Sequence, residues 1–314
     1  MKQPFETFIE RSGAVVLDGG LATELERRGA DLNHRLWSAK VLVKQPDLVR
    51  DVHLDDFRAG ADVATTASYQ ASERGLREAG YSSAESRDIV QSSVRLAQEA
   101  RERFVEERDA VDHTPPLIAG SAGCYGAYLA DGSEYRGRCG LTHDELMEFH
   151  RPRVEWLIGA GADLLAFETL PSLGEAEAVA ALLCDFPETQ AWVTFSCRDD
   201  RHVSEGQTVE ECAIAAAEAP NVVAIGANCT APRHIAGLIP RFAAATDRLV
   251  IVYPNRGDGW DARKRTWLAC EEPVSFADLA RTWCDLGARF IGGCCRTTPE
   301  DIRAMAESLG KPSE

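Results

Sequence analysis

The stretch Val222-Val223-Ala224-Ile225-Gly226-Ala227-Asn228-Cys229 shows the pattern that decides the fold of this chain. Its first residues form a short apolar run that closes with a glycine, and such runs are typical of buried β-strands. Asn228 and Cys229 follow at the end of the run, so an amide and a thiol stand where the predicted strand ends. The same combination, a buried strand followed by chemically active side chains, recurs along the chain.

Eight apolar runs of this kind alternate with amphipathic helical patterns. The predicted strands cover residues 14–18, 61–68, 116–121, 163–168, 191–196, 222–228, 248–254 and 289–294. The clearest predicted helices cover residues 84–107, 142–158, 173–183, 209–218 and 275–286. Near-continuous apolar strands that alternate with helices indicate a parallel sheet covered on both faces. Eight such units without a glycine-rich nucleotide loop favour an α/β fold of the (βα)8 TIM-barrel type over a doubly wound open sheet.

Length and composition fit a single barrel domain over residues 1–314, since such barrels take about 250 residues plus insertions. No segment approaches the roughly 18 uncharged apolar residues that a membrane span needs. The net charge of −16 argues against nucleic acid or an anionic membrane as a partner, because both need basic patches. The first eleven residues carry charges and contain no apolar signal core, so we expect a cytoplasmic protein that acts on small molecules. Composition leaves the oligomeric state open.

The cysteines give the first indication of chemistry. Cys229 follows the sixth predicted strand, and Cys294 with Cys295 follows the eighth, in Ile291-Gly292-Gly293-Cys294-Cys295-Arg296. Strands six and eight of a barrel both neighbour strand seven, so their ends can bring three thiols to one point. Soft thiolates select zinc, and three protein ligands leave the fourth position open, as in catalytic zinc sites. The alternative interpretation is that these cysteines pack as small apolar side chains.

The remaining cysteines give weaker signals. Cys197 follows the fifth predicted strand and is the one rival metal ligand. Cys124 and Cys139 lie in the long loop after the third strand, where they could approach each other. Packing roles are expected for the others, which are Cys184, Cys212, Cys270 and Cys284. No histidine stands at a predicted strand end, so histidine ligation is not expected.

Two carboxylates also stand at strand ends. Asp18 begins the run Asp18-Gly19-Gly20, whose glycines allow a ligand to approach the backbone and whose amide groups at a helix start suit a carboxylate. Asp18 itself could bind an ammonium group or cap the following helix. Glu168 ends the fourth apolar strand, where burial of a carboxylate is costly without a cationic partner. Beside a zinc ion, these groups describe a pocket for an amino acid that carries a thiol.

Motifs along nearly the whole chain resemble those of the homocysteine S-methyltransferases. They are DGG at 18–20 with EL at 24–25, ASYQ at 67–70, GAYLADGSEY at 126–135, FET at 167–169, NC at 228–229, YPN at 253–255 and GGCC at 292–295. They occur in the family's order between about residues 15 and 299. The resemblance is closest to the branch that uses S-methylmethionine or S-adenosylmethionine as methyl donor, and it implies methyl transfer to homocysteine.

The resemblance also implies roles for individual residues. It assigns one Zn²⁺ per chain to Cys229, Cys294 and Cys295. It makes Asp18 and Glu168 the contacts to the homocysteine amino group, with Gly19 and Asn228 beside them in the substrate site.

A donor site for the sulfonium compound is predicted around aromatic and polar side chains at the same edge. Its candidates are Tyr69, Tyr125, Tyr253 and Asn255. Aromatic faces attract cations, although packing roles explain these tyrosines equally well.

Two departures from the family pattern and several alternatives leave the substrates open. Cys124 stands where relatives usually have proline, and Arg256 stands where serine is usual, which puts the donor preference in doubt. Betaine, methylcobalamin or a folate-linked donor would require further segments, which are not expected because the chain ends shortly after its eighth predicted helix. Selenocysteine would fit as acceptor. A zinc-buffering or redox-sensing protein is the alternative from another class, but it leaves Asp18 and Glu168 unexplained.

Overall fold

The computed structural model describes residues 5–32, 36, 38–108, 114–257, 259–261, 266–268 and 274–311. The strands among them are β1 (Val15–Val16), β2 (Val63–Thr65), β3 (Leu117–Gly123), β4 (Leu164–Leu170), β5 (Ala191–Phe195), β6 (Val222–Asn228), β7 (Leu249–Tyr253), β8 (Gly259–Asp261), β9 (Thr266–Leu268) and β10 (Ala288–Ile291). Eight of them form one sheet in the order β1-β10-β7-β6-β5-β4-β3-β2, and each pair is parallel. A parallel bridge between Leu17 and Val63 joins the two end strands. The predicted (βα)8 barrel is confirmed.

Helices connect the strands on the outside of the barrel. They are α1 (Glu6–Ser12), α2 (Leu21–Arg27), α3 (Ser38–Lys44), α4 (Pro46–Arg58), α5 (Glu73–Glu78), α6 (Ser83–Glu106), α7 (Tyr125–Leu129), α8 (His143–Gly159), α9 (Leu173–Cys184), α10 (Val209–Ala217), α11 (Pro232–Ala245), α12 (Phe276–Asp285) and α13 (Pro299–Ser308). Helices α6, α8, α10 and α13 each begin with a capping box. In it a Ser or Thr side chain accepts a hydrogen bond from the backbone amide of an acidic residue three positions later, whose side chain accepts one from the backbone amide of the Ser or Thr. The five predicted helices are confirmed to within one residue at either end.

Several strands are shorter than the sequence predicts. The run 61–68 yields only β2, because the Ser68 amide donates to the Thr66 carbonyl at 2.8 Å and turns the chain out of the sheet. The run 289–294 ends as a strand at Ile291, after which the Cys294 amide donates to the Pro254 carbonyl at 2.8 Å. The antiparallel hairpin of β8 and β9 was not expected. Apolar runs predict burial, and the hydrogen bonds at the barrel rim decide where each strand ends.

The hydrophobic core has an inner and an outer layer. Inside the barrel, Trp192 and Phe290 pack among side chains from all around the sheet, and the larger outer layer lies between the strands and the helices. Helix α1 covers the N-terminal end of the barrel, where the ring of Phe5 lies 5.4 Å from that of Phe290. This end is therefore filled with apolar side chains. No helix within the described residues is long and apolar enough to cross a membrane.

Candidate active site

Three thiols meet at the C-terminal end of the barrel. Cys229 follows β6, and Cys294 and Cys295 follow β10, on either side of β7 in the sheet. The Cys229 sulfur lies 2.7 Å from that of Cys294 and 3.5 Å from that of Cys295, and all three sulfurs lie within 4.8 Å of one another. The convergence predicted from the strand order is therefore present in the structure.

Unusual backbone geometry brings the thiols together. Cys229 adopts a left-handed conformation with φ of 44°, which an L-residue seldom does without external support. Its amide donates to the Tyr253 carbonyl at 3.2 Å. A Cβ atom on Gly293 would lie 2.3 Å from the Thr297 hydroxyl oxygen, and one on Gly292 would lie 2.5 Å from the Leu17 side chain. The two glycines before the cysteine pair are therefore required by close packing.

The thiol cluster fits a soft metal ion. Hydrogen bonds from the Cys294 and Cys295 thiols hold the pKa of Cys229 well below its usual value, and a hydrogen bond from Tyr135 adds to this. The same bonds to Cys229, together with burial, raise the pKa of Cys294 and Cys295. Zinc–sulfur bonds of about 2.3 Å place tetrahedral ligands roughly 3.8 Å apart, so the sulfurs of Cys229 and Cys295, at 3.5 Å, are near that spacing, and those of Cys229 and Cys294, at 2.7 Å, would have to separate by about 1 Å. Bound metal would replace the protons that the three sulfurs now share.

The thiols form one wall of a cavity of about 210 Å³. Other parts of the wall come from Gly19, Thr65, Tyr69, Glu134, Glu168 and Asn228. Among the described residues that line it there are several acids and no lysine, arginine or histidine. A cavity of this composition favours ligands that carry positive charge.

Glu168 faces this cavity from β4, as the sequence predicts. Its carboxylate accepts hydrogen bonds from the hydroxyls of Ser121 and Tyr253. Burial raises the pKa of Glu168 to about 7, and it belongs to no ion pair in the described part of the chain. A cationic group that enters the cavity would supply the missing partner.

Asp18 lies beside the cavity but is already engaged. Its carboxylate accepts hydrogen bonds from the Thr65 amide at 2.6 Å and from the Thr65 hydroxyl at 2.9 Å. Burial, and then the charge of Asp56, raise the pKa of Asp18 well above its usual range. The helix-cap interpretation is wrong, because α2 begins after Gly20 and no side chain caps it. Asp18 thus fixes the register of β1 and β2 at the rim.

The amide groups that follow Asp18 also have partners. The Gly19 amide bonds to the Asp56 carboxylate of α4, and the Gly20 amide donates to the Thr297 hydroxyl at 3.0 Å. Gly19 still borders the cavity, so a ligand can approach its backbone. A substrate carboxylate held by these two amides would have to replace bonds within the protein.

Asn228 has a role that the sequence did not reveal. Its side-chain oxygen accepts from the Thr169 amide at 2.8 Å, and its side-chain nitrogen donates to the Thr169 hydroxyl at 2.8 Å. Thr169 has φ of 62°, in the left-handed region. Since Thr169 directly follows Glu168, these two hydrogen bonds hold the strained backbone that directs the Glu168 carboxylate into the cavity.

The predicted donor residues divide into two groups. Tyr69 and Tyr253 border the cavity, but the Tyr253 hydroxyl already has partners in the protein: the Trp192 indole donates to it at 3.1 Å, and it forms a hydrogen bond with the Glu168 carboxylate. Asn255 bonds to the backbone of its own loop, accepting from the Gly257 amide at 2.9 Å. Tyr125 packs edge-on against a phenylalanine ring in another cluster. Of these four residues, Tyr69 is the one whose position best suits a ligand.

The remaining cysteines lie outside the thiol cluster. Cys197 is buried in the outer core, and its amide donates to the Thr230 hydroxyl at 2.9 Å. Cys212 and Cys284 pack against the same core, as predicted, whereas Cys184 is exposed at the end of α9, so its predicted packing role is wrong. Cys270 lies outside the described residues.

The two departures from the family pattern occupy structural positions. Cys124 is buried and precedes α7, and both it and Cys139 are free thiols. The Arg256 guanidinium bonds to the Asp301 carboxylate of α13 at 3.0 Å. This ion pair directs the arginine toward α13.

In a parallel (βα)8 barrel, active sites lie at the C-terminal ends of the strands. The thiol cluster and the acidic cavity at that end therefore define an enzyme-type site with a candidate metal-binding group. The chain matches the model of the family "Homocysteine S-methyltransferase" over residues 15–309. It belongs to this family and is a homocysteine S-methyltransferase.

Relatives and solved structures agree with this assignment. The chain is 49% identical to Homocysteine S-methyltransferase YbgG of Bacillus subtilis, over 96% of each chain. It is 43% identical to a selenocysteine Se-methyltransferase of Brassica oleracea, over 97% of this chain and 91% of that one. The metallated form of the homocysteine methyltransferase MmuM from Escherichia coli superposes with a TM-score of 0.87 at 44% identity, over 97% of this chain and 99% of that one.

Proposed function

We propose that this protein transfers a methyl group from a sulfonium donor, S-methylmethionine or S-adenosylmethionine, to the thiol of L-homocysteine, and that one zinc ion supports the reaction. The observation that carries the proposal is the meeting of three thiols in a cavity whose charged side chains are all acidic.

Cys229, Cys294 and Cys295 would hold the zinc ion, because their sulfurs lie within 4.8 Å of one another and thiolates are its preferred ligands. The related Escherichia coli enzyme has been solved in a metallated form, which agrees with a resident metal. Bound zinc would supply a Lewis acid that keeps the substrate thiol deprotonated at neutral pH.

Homocysteine would bind through its ammonium group to Glu168. This carboxylate borders the cavity and is held in place through Ser121 and through the Asn228–Thr169 bonds. Asp18 would contribute negative charge from behind Thr65. A substrate cation lowers the cost of keeping these acids ionised in a buried site.

The charge of the cavity favours sulfonium donors over betaine. S-methylmethionine and S-adenosylmethionine each carry a net positive charge as amino-acid zwitterions with a sulfonium, whereas betaine is neutral overall. Acidic walls without a cationic side chain attract the former more strongly. A sulfonium methyl is also the better electrophile, because a neutral thioether leaves more readily than a tertiary amine.

In the reaction the homocysteine sulfur uses an electron pair to form a bond to the donor methyl carbon. The bond from that carbon to the donor sulfur breaks, and its electron pair stays on the donor sulfur, which becomes a neutral thioether. The thiol proton has left earlier to solvent, so no general base acts in this step. The chain's residues position the two sulfurs and hold the charges of both substrates.

A donor and metal panel tests the proposal. Zinc-loaded protein is assayed for methionine release from homocysteine with S-methylmethionine, S-adenosylmethionine and betaine at equal concentrations. We expect turnover with a sulfonium donor, much slower turnover with betaine, and one zinc per chain by elemental analysis. Equal rates with betaine, or full activity in metal-free protein, would contradict the proposal.

Selenocysteine is a second candidate acceptor, because a selenocysteine Se-methyltransferase is 43% identical to this chain. The reaction is the same, with selenium in place of sulfur. Rates with selenocysteine and homocysteine as competing acceptors decide which is preferred.

A further inference from the structure

Glu134 is an acid in the cavity to which the homocysteine site gives no role. It lies in a short 3-10 turn, Ser133–Tyr135, between β3 and α8, and it borders the cavity together with Tyr69 and the thiols. One of its carboxylate oxygens is buried without a hydrogen-bond partner in the described part of the protein. A buried, unpartnered carboxylate oxygen is unfavourable unless a ligand satisfies it.

The backbone of Glu134 is fixed from two sides. Its carbonyl accepts a hydrogen bond from the Ser196 hydroxyl at 2.7 Å. A Cβ atom on Gly126 would lie 2.5 Å from the Glu134 amide nitrogen, so α7 packs directly on this turn. The point from which the Glu134 side chain enters the cavity wall is therefore fixed.

Its surroundings suit a cation. Gln70 also borders the cavity with its side-chain oxygen buried and unpartnered, while its nitrogen donates to the Ala127 carbonyl at 2.9 Å. Tyr69 and Tyr135 contribute aromatic rings to the same wall. Burial first, and the charge of Cys229 to a smaller extent, raise the pKa of Glu134 to about 7, so a cation would stabilise its ionised form. The sulfonium of the methyl donor supplies such a charge, and aromatic rings attract it.

We propose that Glu134 is the counter-charge for the sulfonium of the methyl donor, and thus the residue that distinguishes the charged donor from its uncharged thioether. The inference rests on the proposed function. Methyl transfer removes the positive charge from the donor, so the attraction to Glu134 is lost when the product forms. Glu134 then strengthens donor binding in the ground state and favours release of the demethylated donor.

Kinetics of Glu134→Gln with S-methylmethionine and homocysteine test this role. Gln has nearly the same shape, so the loss is confined to charge. The KM for the donor should rise at least about tenfold, while kcat and the KM for homocysteine change less than about threefold, because the donor still carries much of its positive charge in the transition state and the lost attraction is nearly the same in both states. Glu134→Asp, which keeps the charge, should recover part of the donor affinity. Glu188→Gln removes one exposed charge at the opposite end of the barrel and should change neither KM.

A neutral isostere separates charge recognition from shape. In 2-amino-5-methylhexanoic acid a CH group replaces the sulfonium of S-methylmethionine. Its inhibition constant against the donor should be the same in wild type and Glu134→Gln. An equal weakening of both compounds would overturn the proposal, as would a higher KM for homocysteine alone or an unchanged donor KM in a folded variant. Absence of methyl transfer by wild type from either sulfonium donor would instead overturn the proposed function.

Discussion

The two ends of the barrel bury acidic side chains in opposite ways. At the N-terminal end, Asp62 accepts from the Val16 amide at 2.9 Å and pairs with Lys311 at 2.5 Å and with Arg11 at 3.2 Å. At the C-terminal end the buried acids Asp18, Glu134 and Glu168 take part in no ion pair within the described residues. The chain thus supplies ion-pair partners to Asp62 at one end and gives none to these three acids at the other end.

This difference suggests that the acid at the N-terminal end serves stability and the acids at the C-terminal end serve function. A buried carboxylate costs several kcal/mol unless a cation and hydrogen bonds compensate it. The paired Asp62 satisfies that condition within the fold. The acids at the C-terminal end are compensated only in part, by hydroxyl and amide donors, so the empty protein is less stable than it would be with neutral side chains there. Under the proposed function, substrate cations would complete these sites.

Removal of one thiol should give the largest effect. Cys229→Ala should lower turnover at least about a thousandfold, because a catalytic metal contributes several kcal/mol to the transition state. The variant should lose bound zinc and keep its circular dichroism spectrum, since the thiol lies at the rim. Cys184→Ala, at an exposed thiol, is the matched control and should keep both zinc and activity. Full turnover by zinc-free Cys229→Ala protein would rule out the metal mechanism.

At the N-terminal end of the barrel, Lys311→Ala should lower the stability of the protein and leave catalysis unchanged. Its ammonium pairs with Asp62 and donates to the Gly60 carbonyl at 2.8 Å. Removal of one partner of a buried pair costs about 3 kcal/mol, at the low end of the usual range because Arg11 remains. Urea unfolding measures this loss, and both KM values should stay at wild-type level. A changed homocysteine KM would show that the two ends are coupled.

Glu168→Gln should weaken homocysteine binding. A hydrogen bond to a charged group contributes about 1.5–3 kcal/mol, so the KM for homocysteine should rise roughly tenfold to a hundredfold. Zinc content and donor KM should not change. Loss of zinc with an unchanged homocysteine KM would instead make Glu168 a support for the thiol cluster.

The raised pKa of Glu168 predicts a pH dependence. With its pKa near 7, the carboxylate becomes protonated as the pH falls from 8 to 6, and homocysteine affinity should fall about tenfold over this range. Glu168→Gln should lack this part of the pH profile, whatever the thiols contribute. The pH dependence of folding stability has the opposite sign. Because the folded pKa exceeds the usual 4.5, the empty protein should lose up to about 3 kcal/mol of stability as the pH rises from 4.5 to 7.

Arg256→Ala should have the smallest effect. The arginine pairs with Asp301 and is partly exposed, so its loss should cost less than about 1 kcal/mol in unfolding free energy. Donor KM should stay within about twofold of wild type. A large increase in donor KM would show that the cavity does contain a cation, and it would weaken the contrast between the two ends.

Apolar runs and their order were enough to predict the barrel and the place of its site. Eight buried strands in one chain must close with their C-terminal ends on one edge, so Cys229, Cys294, Cys295 and Glu168 had to lie near one another. The side chain of Glu134 carried no such signal, because it stands in a turn far from any predicted strand end. The motif that contains Glu134 could be recognised in the sequence, but only the structure shows that one of its carboxylate oxygens is buried without a hydrogen-bond partner.

The sequence by itself thus determined the fold class, the thiol cluster and the acidic character of the site, because these depend on periodicity, residue type and chain order. Only the tertiary structure decided which groups are free to act. Asp18 bonds to Thr65 and the Gly20 amide to Thr297, across 47 and 277 residues of sequence. Glu168, by contrast, faces the cavity because Asn228 holds Thr169 in a left-handed conformation. Hydrogen bonds between residues far apart in sequence occupy some polar groups and leave others available to a ligand. No local sequence pattern specifies which groups these are.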